Sequence, residues 1–225
     1  MKESFNRTAA LLGQAGIEKL INSHVAIFGI GGVGSYVAEA LARSGVGTLT
    51  LIDKDKIEES NINRQLIADT TTIGASKVLV ARERIQKINP DCQVFANEIF
   101  YLPETADQID FTRFDYVVDA VDTVTAKLCI IEEAAKANVP VISSMGTAGK
   151  LDATALKVGD LFETSGDGLA KIMRKECRNR GIEKLKVVYS TEKSTGVQAS
   201  AAFVPGAAGL IIAGEVIKHL TEVHT

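Results

Sequence analysis

The chain has 225 residues, 46% of them hydrophobic and 24% charged, with a net charge of −3 at pH 7. That length and apolar content suit a compact fold with a sizeable core and exclude a mainly disordered chain. The small negative charge excludes a global basic field of the kind that binds nucleic acid, while leaving room for a local basic patch. Cys92, Cys129 and Cys177 lie far apart and form no CxxC pair, so neither a disulfide framework nor a structural zinc is expected, and a reducing cytoplasm is the natural compartment. The first six residues carry no signal-peptide stretch, and the most apolar run, 199–214, contains Gly and Pro and falls short of a membrane span; no membrane role is expected.

In chain order, residues 3–20 read as an amphipathic helix with Leu11, Leu12, Ala15 and Leu20 on its apolar side. Residues 24–29 (HVAIFG) read as a buried strand, 32–43 as a helix and 48–53 (TLTLID) as the next strand. A helix over 74–88 ends at Asn89-Pro90. Strands follow at 92–99, 115–120 (DYVVDA) and 139–143 (VPVIS), with a helix over 123–137. Such alternation predicts an α/β fold: a Rossmann-like, doubly wound, mainly parallel sheet with helices on both faces. Beyond about residue 150 the pattern loosens: a strand at 153–158 that turns back antiparallel, a basic helix over 167–180, a short strand at 186–191, a polar loop at 192–198 and a final helix over 205–220. No linker or repeat divides the chain. One domain is expected over 1–225, with 1–150 as nucleotide-binding core and 151–225 as substrate-side extension.

Between the first strand and the first following helix stand Gly29, Gly31, Gly32 and Gly34. Small residues there let backbone approach phosphate at a helix N-terminus, and Asp53, at the end of the second strand, is placed for a ribose hydroxyl. NAD(H) and ATP would both use this turn. The next segment separates them, because Asp55, Asn61, Arg64 and Lys77 form a polar, cationic cluster that a dehydrogenase has no need of and a triphosphate does. Asp122 follows a strand end and reads either as a cap of the next helix or as a metal ligand.

The strings FGIGGVGSYVAEALAR (28–43), LIDKD (51–55), SNINRQ (60–65), GASK (74–77), RIQKINP (84–90) and VDAVD (118–122) resemble the MoeB/ThiF/HesA superfamily, which includes ubiquitin-activating enzymes. The resemblance implies ATP-dependent adenylation of a carboxylate. Asp53 would hold the ribose; Asn61, Arg64 and Lys77 the phosphates; Asp122 would bring Mg²⁺ to them. Arg7 would reach the ATP of the partner subunit in a homodimer. Whether ATP yields AMP and pyrophosphate or ADP and phosphate stays open.

Within that superfamily three features bear on the substrate. The CxxC zinc pairs frequent in sulfur-carrier adenylyltransferases are absent. No cysteine stands at 197–201, and Cys177 lies inside a helix, which disfavours a covalent thiol route. Residues 171–186 hold seven Lys and Arg against two Glu, and Lys171, Arg174, Lys175 and Arg178 are candidates to hold an RNA backbone. Together with FNRT (5–8), MGTAGKLD (145–152) and YSTE (189–192), they make the chain resemble tRNA threonylcarbamoyladenosine dehydratases, which activate the threonyl carboxylate of a modified adenosine in the anticodon loop and let the modification close a ring with loss of water. The shortened loop at 194–198 departs from longer members. The alternative is an adenylyltransferase that activates the C-terminus of a ubiquitin-like sulfur-carrier protein.

Overall fold

The computed structural model describes residues 3–223. The elements run α1 Asn6–Asn22, β1 His24–Phe28, α2 Gly34–Ser44, β2 Thr48–Ile52, α3 Lys77–Ile88, β3 Gln93–Asn97, β4 Tyr116–Asp119, α4 Val124–Lys136, β5 Val141–Ser144, β6 Leu156–Asp160, α5 Gly168–Asn179, β7 Lys186–Ser190 and α6 Phe203–Thr221. They build one seven-stranded sheet in the order β3-β2-β1-β4-β5-β7-β6. Every pairing is parallel except β6 with β7, so the expected antiparallel turn in the C-terminal part is present. Chain order reverses between β1 and β4, which opens a crevice at the carboxyl ends of these strands.

The central strands read as continuous apolar runs because both of their faces are covered. In β1, Val25 and Ile27 join the core under α1, α2, α3 and α6. Ala26 and Phe28 face the opposite core, with Tyr101, Phe111 and the α4 residues Cys129 and Ile130. A third cluster seals α5 onto α4 through Leu128, Ile131, Met173 and Cys177. Arg84 fastens α3 to α2 by two hydrogen bonds to Glu39, at 2.7 and 3.1 Å; this gives one residue of the RIQKINP string a structural task.

Two expectations need correction. The N-terminal helix is broken at Gly13, whose φ of 75° and ψ of 165° are not helical. The break rotates the first segment away from the register of the second. Leu11 is therefore 85% exposed and Ala15 is exposed, whereas Ile17 and Leu20 are buried. The apolar run near the C-terminus belongs to α6, which is long and apolar enough to pass as a span, yet half of it is buried inside the fold. It packs on α2 and α1, with Val204, Ala208, Ile212 and Val216 in the core.

Candidate nucleotide-binding and substrate site

The glycine-rich turn lies at the crevice, and its glycines divide the work. Gly29 has φ +85°, and a Cβ there would lie 2.7 Å from the Ala120 carbonyl oxygen; one at Gly34 would lie 1.8 Å from the Gly29 carbonyl oxygen. Both are required for the turn to close. Gly31 instead faces the cleft, with no atom nearer its Cβ position than the Gln65 amide at 3.9 Å. No side chain caps the N-terminus of α2, so its positive dipole end faces the cleft; the Ser35 and Tyr36 N–H groups are held by the Gly31 and Val33 carbonyls, both at 3.1 Å.

Asp53 braces the turn. One carboxylate oxygen accepts the Ile30 N–H at 2.7 Å and the other the Asp55 N–H at 2.8 Å. Each oxygen keeps a lone pair for a further donor such as a ribose hydroxyl. Lys77 is buried along its stem and donates to Asp55 at 2.9 Å. Asn61 is buried, but its carbonyl oxygen already accepts the Glu58 N–H at 3.1 Å, which leaves mainly its amide N–H groups for phosphate. Arg64 is steered into the cleft by bonds to the Ser60 carbonyl and the Asn63 amide oxygen, both 2.8 Å. These residues line a cavity of about 600 Å³ with the glycine turn. Its apolar end is formed by Phe28, Ile52, Ile99 and Tyr101, and Lys54 stands 3.7 Å over the Phe100 ring.

Asp122 is exposed in this cleft and is not the cap of α4: that position belongs to Thr123, and no side-chain capping bond forms. Its carboxylate takes a 3.3 Å bond from the Thr123 hydroxyl. Among the described residues no three His, Cys, Asp or Glu side chains converge on a metal position. One exposed carboxylate beside the glycine turn nevertheless fits Mg²⁺, which keeps several waters and needs only one or two carboxylates where phosphates supply the rest.

A second cavity, about 690 Å³, shares Val33, Arg64, Ala120, Val121, Asp122, Thr147 and Ser200 with the first. Its far walls are Ser144–Gly146, Ala148, Lys150, the N-terminus of α5, Gln198 and Ala199. Glu192 accepts the N–H groups of Leu151 and Asp152, at 3.0 and 2.9 Å, and Gly149 bonds with Thr195 and Ala199. The short polar loop is thus laid across this cavity.

Arg7 is exposed on α1 and lines neither cavity of its own chain. The basic segment is less free than its charge count implied. Arg174 is half-buried and donates to the Thr164 carbonyl at 2.9 Å and to its hydroxyl. Arg180 pairs with Glu132 and Glu176, and Lys186 with Glu215. Lys171, Lys175 and Arg178 are exposed, the last over the Phe162 ring. All three cysteines are buried, and loss of hydration pushes the Cys177 and Cys92 thiols up to about 11. None is poised as a nucleophile.

Gln65, in the SNINRQ string, is 7% exposed, lines the first cavity and has an amide oxygen with no protein partner. Its signal was a lone amide inside a cationic, cleft-forming string.

A family model described as the ThiF family matches residues 5–225. The chain is 41% identical over 244 aligned residues to the tRNA threonylcarbamoyladenosine dehydratase of Bacillus subtilis, covering 99% of this chain and 96% of that protein. It superposes on the E. coli tRNA N6-threonylcarbamoyladenosine dehydratase in complex with ATP with a TM-score of 0.94 at 34% identity, covering 98% of this chain and 94% of that one; the same E. coli enzyme is also known in complex with AMP. A more distant match, the adenylyltransferase and sulfurtransferase uba4 of Aspergillus niger, is 37% identical but spans only 62% of this chain and 29% of that protein.

Proposed function

The chain belongs to the ThiF family, and from that membership we propose that it is an ATP-dependent tRNA threonylcarbamoyladenosine dehydratase. The observation that carries the reading is the pair of joined cavities: a phosphate cradle on one side, a polar acyl pocket on the other, and Arg64 and Asp122 at their junction. The near full-length likeness to dehydratases supports it over the sulfur-carrier alternative, whose relatives match a smaller part.

In the proposed reaction, the glycine turn and Asp53 bind the nucleoside and orient its α-phosphate toward the second cavity. The threonyl carboxylate of the modified adenosine attacks that phosphorus, giving an acyl-adenylate with pyrophosphate leaving. The AMP complex of the E. coli relative supports this split over one to ADP. Arg64 and Lys77 neutralise charge that develops on the phosphates. Mg²⁺ held by Asp122 would lower the same charge as a Lewis acid. The tethered nitrogen of the modification then displaces AMP and closes the ring, a step in which positioning supplies much of the rate and no enzyme thiol is needed. Residues 1–150 and 151–225 act as one unit, since Ser200 of the second part lines both cavities beside Arg64 and Asp122 of the first.

The reading extends to a cytoplasmic homodimer in which Arg7 completes the partner's site, because that arginine serves no cavity of its own chain. Lys171, Lys175 and Arg178 would track the RNA backbone, with Arg174 holding the loop beneath them. The test compares ATP turnover with purified tRNA carrying threonylcarbamoyladenosine against turnover with a ubiquitin-like carrier ending in Gly-Gly. Stimulation by the tRNA alone is expected; stimulation by the carrier alone would replace this reading with the alternative.

A further inference from the structure

Two buried lysines beside the cleft take no part in the chemistry above. Lys127, in the first turn of α4, and Asp119, at the end of β4, are both fully buried. The Lys127 ammonium donates to Asp119 Oδ2 at 3.0 Å, to the Ser143 hydroxyl at 3.2 Å and to the Ser144 carbonyl at 2.8 Å, so all its donors are used. The Ser143 hydroxyl donates to the same Asp119 oxygen at 2.5 Å. The other Asp119 oxygen accepts the N–H of Val121, the neighbour of Asp122, at 3.3 Å. Lys150 and Asp167 form a second pair, 3% and 2% exposed. The Lys150 ammonium donates to Asp167 Oδ2 at 2.6 Å and to the Gly146 carbonyl at 2.7 Å. Asp167 Oδ1 caps α5 by accepting the Ala170 N–H at 2.9 Å.

The two ammoniums therefore grip Ser144 and Gly146, while Met145 between them donates its N–H to Val188 at 2.8 Å. All three residues of this segment line the second cavity. Burying an ion pair is a poor way to gain stability, because desolvation cancels most of the attraction and an apolar replacement of the same volume is frequently as stable. What such a pair supplies is a fixed geometry. One pair anchors the loop that carries Asp122; the other ties the cavity wall to α5.

We propose that Lys127 and Lys150 are positioning residues: through Asp119 and Asp167 they hold Ser144–Gly146 fixed between the Asp122 loop and the pocket for the carboxylate-bearing half of the substrate. Neither touches the reacting atoms. The proposal rests on the dehydratase reading.

Each pair is best removed as a pair, Lys127→Met with Asp119→Asn and Lys150→Met with Asp167→Asn, so that no lone charge stays buried and Asn can still cap α5. The measurements are the melting temperature, kcat, KM for tRNA carrying threonylcarbamoyladenosine and KM for ATP. The Lys127 double is expected to lose about 10- to 100-fold in kcat at unchanged KM for ATP, the scale of an ångström-sized misplacement. The Lys150 double is expected to raise KM for tRNA by about tenfold or more at unchanged KM for ATP. A merely structural role moves the melting temperature and leaves these constants alone, so wild-type constants in both folded doubles overturn the proposal. Should a double fail to fold, Ser143→Ala replaces the first and Lys150→Arg, which keeps the charge paired, the second, with the same directions expected at about threefold or more and wild-type constants overturning the proposal again. A wild-type chain that turns over no modified tRNA refutes the dehydratase reading and the proposal with it; an active wild type with unaltered variants refutes the positioning role alone.

Discussion

Lys77→Met separates a role at the phosphates from a role in the scaffold. The Lys77 side chain is 8% exposed, and its ammonium lies 2.9 Å from Asp55, whose side chain is 52% exposed. An ion pair with one partner so open to water contributes about 0–1 kcal/mol. Methionine keeps the volume of the buried stem, and Asp55 returns to solvent, so stability should fall by at most about 1 kcal/mol. For a domain of this size that lowers Tm by about 2–4 °C. Removing one preorganised charge from the developing phosphate charge costs far more, about 100- to 1000-fold in kcat. The assay is pyrophosphate release at saturating ATP and modified tRNA, paired with a thermal melt. A folded Lys77→Met protein with kcat within about threefold of wild type would refute the phosphate role.

The glycines should respond in opposite ways. Gly34→Ala, whose Cβ would sit 1.8 Å from a backbone oxygen, should destabilise the fold by about 1–3 kcal/mol or more, read from denaturant midpoints. Gly31→Val meets open cleft and should leave the melt unchanged while weakening ATP binding about tenfold or more by calorimetry. Arg7→Ala and Asp122→Ala should each be inactive, yet mixing them with subunit exchange should restore about a quarter of wild-type activity, because half the dimers are hybrids with one intact site each; no recovery despite proven exchange would exclude a shared site. Lys171, Lys175 and Arg178 changed together to Ala should weaken tRNA binding and flatten the dependence of log K on log salt by about 2. Arg174→Ala should instead lower Tm, since its bonds go to Thr164; equal salt slopes in the triple variant would make this helix a solvated face.

The first half of the chain was legible because buried parallel strands write themselves as unbroken apolar runs, and because the glycine turn and the residues 60–77 that follow it have few other uses. The break at Gly13 was not legible: a helical pattern carries no record of a single residue that slips the register, and Leu11 was misplaced for that reason. Counting charges over 171–186 could not show that Thr164, Glu132 and Glu215 consume part of them, since those partners come from distant segments. Lys127 and Lys150 stayed hidden because a lysine in a helix or loop ordinarily faces water. The one trace of Lys127 in the sequence was its seat in AKLCII (126–131), where the other positions are all apolar and buried.

The central claim is most directly tested by incubating the chain with ATP, Mg²⁺ and tRNA that carries threonylcarbamoyladenosine, then digesting the tRNA and weighing its nucleosides by mass spectrometry. The account predicts an ATP-dependent product lighter than the starting nucleoside by one water, formed by the wild type and lost in Asp122→Ala. An unchanged nucleoside after full incubation with a protein that demonstrably binds ATP would contradict it.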